Sequence, residues 1–126
     1  MRSFFLVSAA IFSMPSTAFA QANPIPPIVE VKLSSFSFEP GTIHLKSGEP
    51  IILHLVNTGS GGHNFTAPEF FAAAGSVSGP VHKGTVEVGG HKAVDIRLTP
   101  AHGAYHLRCS HTFHTTLGMH GEIDVQ

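Results

Sequence analysis

An all-β domain, folded as a two-sheet antiparallel sandwich with one short helix, is what this sequence predicts, and three observations predict it. Seven or more short segments alternate apolar and polar residues and are separated by turn-forming residues. Helical periodicity is confined to a single ten-residue stretch. No strand–helix–strand alternation of the kind that builds parallel sheets is present.

The N-terminus is set apart from this pattern. Met1-Arg2, an apolar run from Phe4 to Phe12 and the small-x-small step Ala18-Phe19-Ala20 read as an export signal over residues 1–20, cut after Ala20. That run is too short to cross a bilayer, which needs about 20 apolar residues, and no later stretch approaches that length. Residues 21–27 (QANPIPP) are too rich in proline for regular structure and form an extended lead-in. Residues 28–126 then make one domain of ordinary size.

Within that domain, residues 28–33 (IVEVKL) put Val29, Val31 and Leu33 on one face and Glu30 and Lys32 on the other. Residues 42–46 and 51–57 follow, divided by the turn-prone Lys46-Ser47-Gly48. Gly89-Gly90 reads as a two-residue hairpin between residues 83–88 and 91–98, with Val86, Val88, Val94, Ile96 and Leu98 facing the core. The helix is expected in residues 66–75 (TAPEFFAAAG), where Thr66 and Glu69 have capping-box spacing, Pro68 sits in the first turn and Gly75 closes the end. Residues 104–109 (AYHLRC) alternate so that Tyr105, Leu107 and Cys109 share the inward face, and Ile123 and Val125 continue that pattern in a final strand.

Charge and motif content exclude several functions. Loss of Arg2 with the leader leaves six basic residues against eight acidic ones, with no basic run to neutralise phosphates, so a nucleic-acid partner is not expected. The glycine-rich NTGSGGHN (57–64) lacks the lysine and hydroxyl residue of a phosphate-binding loop, and GSVSG (75–79) has Val77 where a hydrolase elbow needs its nucleophile. A Cys-His hydrolase built on Cys109 is disfavoured by the inward direction of the thiol and the methionine near it. No enzyme activity is expected. The remaining histidines are mostly bland: His54 should be a hydrogen-bonded, half-buried strand residue, while His44, His82, His91, His102 and His106 should be solvated.

The chemistry concentrates in residues 108–121, RCSHTFHTTLGMHG, which hold the only cysteine and the last methionine. In an exported protein a lone cysteine cannot form an internal disulfide, so it is either a packed apolar group, an intermolecular link or chemically employed. A thiolate from Cys109, an imidazole from His114 and a distant thioether from Met119 suit an ion cycling between Cu(I) and Cu(II), in the His₂Cys set with a long axial Met. The second histidine must come from elsewhere in the fold. His63 is the best candidate, because the glycine-rich turn before it lets the backbone bend sharply, and Asn64 beside it could brace the ligand loops by hydrogen bonds. His111 competes with His114 for the loop position, but two residues after Cys109 it would strain a trigonal site, so His114 is preferred. His120 is a surface residue or an alternative ligand. A zinc site from Cys109, His63, His114 and His120 would leave Met119 unused and lacks the paired short spacings of structural zinc.

With FSFEPGTIHLKSGEPIILHLVN, then HNF, then GAYHLRC, then Cys109 with His114 and Met119, nearly the whole chain after residue 20 resembles the cupredoxins, the plastocyanin/azurin family of blue-copper proteins. The resemblance implies a Greek-key β-sandwich with copper at one end, and His63, Cys109, His114 and Met119 as the four ligands. The loop departs from the best-known relatives by combining a Cys-to-His spacing like azurin's with a His-to-Met spacing like plastocyanin's. The implied function is a monomeric, periplasmic one-electron carrier with transient redox partners. His114 should offer the exposed edge, ringed by an apolar docking patch of Phe113, Leu117, Phe70 and Phe71. Two other functions compete: copper delivery or protection through the same pocket, aided by His111 and His120, and a metal-free interaction module on the same fold.

Overall fold

The computed structural model describes residues 10–112, 114 and 117–126. Of the expected leader, residues 1–9 lie outside that set, and residues 10–27 carry no helix or strand. Among the described residues no helix is long and apolar enough to cross a membrane.

Among the described residues, ten strands form two five-stranded sheets. The first contains β1 (Ile28–Ser34), β2 (Ser37–Glu39), β4 (Ile51–Asn57), β6 (Gly75–Ser78) and β8 (Ala93–Thr99), in the order β2-β1-β4-β8-β6. The second contains β3 (Thr42–Leu45), β5 (His63–Thr66), β7 (Thr85–Val88), β9 (Gly103–Arg108) and β10 (His120–Val125), in the order β3-β10-β9-β5-β7. The alternation in the sequence maps onto the two inner faces: Val31 and Leu33 from β1 are fully buried, as are Val86, Val88, Ile96 and Val125. Two polar-out, apolar-in sheets pressed face to face are what that pattern requires.

The structure departs from the sequence expectation in three places. The sheets are mixed, because β1 pairs parallel with β4 and β3 pairs parallel with β10. Alternation reports which face is buried, not strand direction, and here the chain changes sheet between β2 and β3 and again between β3 and β4. Gly89-Gly90 does not close a hairpin: β7 pairs with β5 in one sheet and β8 with β4 in the other. The turn itself forms, with Lys92 N–H donating to the Gly89 carbonyl at 3.0 Å, but it carries the chain across the sandwich. The helix α1 (Pro68–Ala73) is capped at Ala67 with no side-chain bond. Thr66 belongs to β5 and spends its hydroxyl on Asn64 Oδ1 at 2.9 Å and on Thr85, so it is unavailable as a cap, and Gly75 opens β6 instead of closing the helix.

Phe65 anchors the core between the sheets. It is fully buried and meets Phe38 and Phe71 edge to face at centroid separations of 6.1 and 5.9 Å. It lies two residues beyond His63, so its packing fixes the strand that begins the site. Phe65→Ala should lower the stability of the metal-free protein by about 3–5 kcal/mol, the usual range for a buried aromatic truncated to alanine, read as a drop in the midpoint of denaturant unfolding.

Candidate metal centre

The first donor is delivered by a loop with little freedom. Asn57, buried at the end of β4, donates its amide Nδ2 to the carbonyls of Gly61 at 2.8 Å and Val88 at 3.0 Å, and accepts from the Gly59 N–H at 2.9 Å. His91 N–H donates to the Gly59 carbonyl at 3.0 Å from the other side. A Cβ at Gly90 would lie 2.1 Å from the Ser60 carbonyl oxygen, so only glycine lets the β7–β8 crossover press this closely on the loop. His63 emerges from it as the first residue of β5, paired with Val88 and only 6 % exposed.

The other donors come from the loop between β9 and β10, which is tied by its own backbone. Cys109 N–H donates to the Met119 carbonyl at 3.1 Å, Met119 N–H to the His114 carbonyl at 2.9 Å, and His114 N–H to the His111 carbonyl at 3.1 Å. Cys109 and Met119 are fully buried members of the core, as the strand alternation requires for Cys109. Three ligand atoms converge: His63 Nδ1 lies 3.2 Å from His114 Nδ1, and His114 Nδ1 lies 3.3 Å from Cys109 Sγ. Donors about 2.0–2.3 Å from one tetrahedral ion stand roughly 3.3–3.6 Å apart. The two separations from His114 Nδ1 are those of donors to a shared ion, and all three ligand atoms lie within 4.8 Å of one another. Among the described residues, this is the one group of three or more His, Cys, Asp or Glu whose ligand atoms lie within 4.8 Å of one another.

Asn64 joins the two halves of the site. Its Nδ2 donates to Ser110 Oγ at 2.7 Å and to Glu87 Oε1 at 2.9 Å, while its Oδ1 accepts from Ser110 N–H at 2.8 Å and from the Thr66 hydroxyl at 2.9 Å. Both donors and both acceptors of the amide are used. Its backbone N–H points at Cys109 Sγ at 3.5 Å. Burial holds the His63 imidazole below its ordinary pKa, and the positive charges that His114 and His111 can carry push the same way. The neutral form that a metal needs is thus favoured. Burial raises the Glu87 pKa, but bonds from Asn64 and from His111 outweigh it and hold the carboxyl below the usual range.

His63, Cys109 and His114 come together; Met119 is buried and bonded through its backbone to both loop donors; Asn64 braces them. His111 stands outside the trio, its Nε2 2.9 Å from Glu87 Oε2, and His120 is an exposed residue opening β10. Phe113 lies outside the described residues. Phe70 and Phe71 do not form a docking patch: they are 1 % and 7 % exposed, because α1 turns its aromatic face into the core beneath Tyr105 and Phe65. The apolar ring shown beside His114 is Phe36, 38 % exposed and 5.2 Å away between ring centroids, and Leu117, three positions on in the chain, is 59 % exposed. Sequence reasoning missed Phe36, Asn57, Glu87 and Ser110. An asparagine ending an apolar strand before a glycine-rich turn was the available signal for Asn57; the others act through contacts between distant segments. His54, bonded through Nδ1 to Asp95, is the half-buried strand histidine expected.

The chain belongs to the cupredoxin-like domain family, which it matches over residues 4–125. No curated protein matches it significantly. Among solved structures it is similar to auracyanin B, with 21% identity, coverage of 83% of this chain and 93% of that one, and a TM-score of 0.60. Auracyanin A, described as a "blue" copper protein from Chloroflexus aurantiacus, is 18% identical over 80% of this chain and 99% of its own, with a TM-score of 0.58. The McoA multicopper oxidase of Aquifex aeolicus is 18% identical over 85% of this chain but 32% of its own, with a TM-score of 0.63. At these identities the likeness is one of fold.

The lowered pKa of His63 makes the metal-free protein sensitive to acid. Above the ordinary imidazole value of 6.5 the ring is neutral whether folded or not, and its contribution is fully present. As pH falls below that value the unfolded chain takes up the proton first, so stability drops until the folded pKa is passed. Denaturant midpoints measured from about pH 7 to pH 5 should fall, and His63→Leu should flatten that part of the slope.

Proposed function

We propose that this protein is an exported, periplasmic one-electron carrier with a type 1 copper site held by His63, Cys109, His114 and Met119. The observation that carries the reading is the convergence of two imidazole nitrogens and one thiol sulfur, with His114 Nδ1 3.2 Å from His63 Nδ1 and 3.3 Å from Cys109 Sγ and all three within 4.8 Å of one another, inside a stiff β framework. Bound copper supplies cycling between Cu(I) and Cu(II), for which a soft thiolate, two imidazoles and a thioether are the suited donors. The chain's own part is to keep those donors in place. His63 stands on a strand, Cys109 follows one directly, and the Asn64 amide and the backbone bonds of the loop fix their separation, so that little has to move when charge changes.

The leader ending at Ala20 supports export. A carrier role, as opposed to catalysis, is supported by the absence of a nucleophile elbow or phosphate loop in the sequence and by the likeness of the whole domain to auracyanins; the oxidase shares the fold in a third of its length. His114 is the half-exposed donor, with Phe36 against its ring and the exposed Leu117 three positions further along the loop, and exposed apolar groups of this kind suit the small, short-lived contact of a redox partner.

Titration with Cu(II) should produce one intense visible band at one ion per chain, and Cys109→Ser should bind copper without it. A colourless wild type, or a variant that keeps the band, would remove the thiolate from the metal. Leu117→Glu should slow electron exchange with a redox partner or between copies while leaving the visible spectrum intact; an unchanged exchange rate would count against that contact.

A further inference from the structure

Resting on the copper reading, we propose that Glu87 is a positioning residue that selects His114 over His111 as the loop ligand. The two histidines are three residues apart in one turn, and distance alone does not distinguish them. The His111 ring centroid lies 5.3 Å from that of His114, and the His63 ring, which does join the trio, lies at 5.0 Å. Orientation separates them. His111 Nε2 is directed at Glu87 Oε2, 2.9 Å away, and His111 is absent from the group of converging ligand atoms.

Glu87 is itself held. It sits on β7 directly opposite Asn64, and its second oxygen accepts from Asn64 Nδ2 at 2.9 Å. That amide is fixed in turn by Ser110 and Thr66. One carboxylate oxygen therefore reads the brace under the thiolate, and the other holds the competing imidazole at the rim. Without the Glu87 carboxylate nothing on β7 directs the ring outward, and an imidazole that near the pocket is a competent copper donor.

The test compares wild type, Glu87→Leu, His111→Ala and the double variant, each loaded with one equivalent of Cu(II), by visible absorption and electron paramagnetic resonance. Glu87→Leu should shift the thiolate band and the copper hyperfine pattern. His111→Ala alone should keep the wild-type spectrum, and adding it to Glu87→Leu should restore that spectrum. A purely structural role for Glu87 would not be rescued by deleting a second side chain. Glu87→Ala carries the same expectations should the leucine variant fail to fold. The inference is overturned if the wild type is coloured and the Glu87 variants keep its spectrum, if the double variant stays shifted, or if His111→Ala alone shifts it. A colourless wild type overturns the copper reading and this inference with it.

Discussion

The site depends on one buried side-chain amide. Asn64 is 1 % exposed and uses its full hydrogen-bonding capacity on three different segments: Ser110 after β9, Glu87 on β7 and Thr66 on its own strand. No other neutral side chain of that size offers two donors and two acceptors in one plane. Because the amide is buried, each of those bonds is costly to leave unmade, so the segment bearing His63 and the segment bearing Cys109 are locked to each other. The sulfur and the first imidazole then keep their relation whether or not anything is bound between them.

The rest of the architecture serves that lock. Phe65 pins β5 into the core one residue beyond Asn64, and Asn57 plays the corresponding part for the glycine-rich loop on the other side of His63. The close approach of Gly90 to Ser60 adds a backbone contact that a larger residue would break. In the second half of the site the loop is tied internally, with Cys109, Met119 and His114 linked through backbone bonds. Two independently braced pieces meet at a shared point. His111 is turned to Glu87, Phe36 packs on the His114 ring, and His114 is the one of the four donors that is not buried.

The strands were legible because alternation is a local property. Val29, Val31 and Leu33, or Tyr105, Leu107 and Cys109, declare a face within six residues, and burial follows them. Strand pairing was not legible from that signal: the crossover at Gly89-Gly90 and the parallel pairs of β1 with β4 and β3 with β10 depend on which sheet a segment joins. The same limit explains Phe70 and Phe71. Two aromatics near the site in sequence looked available to a partner, but the face a six-residue helix buries is chosen by what it packs on.

The sequence by itself pointed to the chemistry, because donor identity is a matter of side-chain type: one thiol, one imidazole and one thioether with loop spacing, and a second imidazole after a glycine-rich turn, name a copper-suited ligand set before any fold is known. Tertiary structure alone decided which imidazoles converge and which are held away. The segments that carry them are braced by Asn57, Asn64, Glu87 and Ser110, whose partners lie up to 46 positions distant along the chain. Hydrogen bonds between segments so far apart exist only once two sheets have closed over a common core, and no local pattern in the residues can announce them.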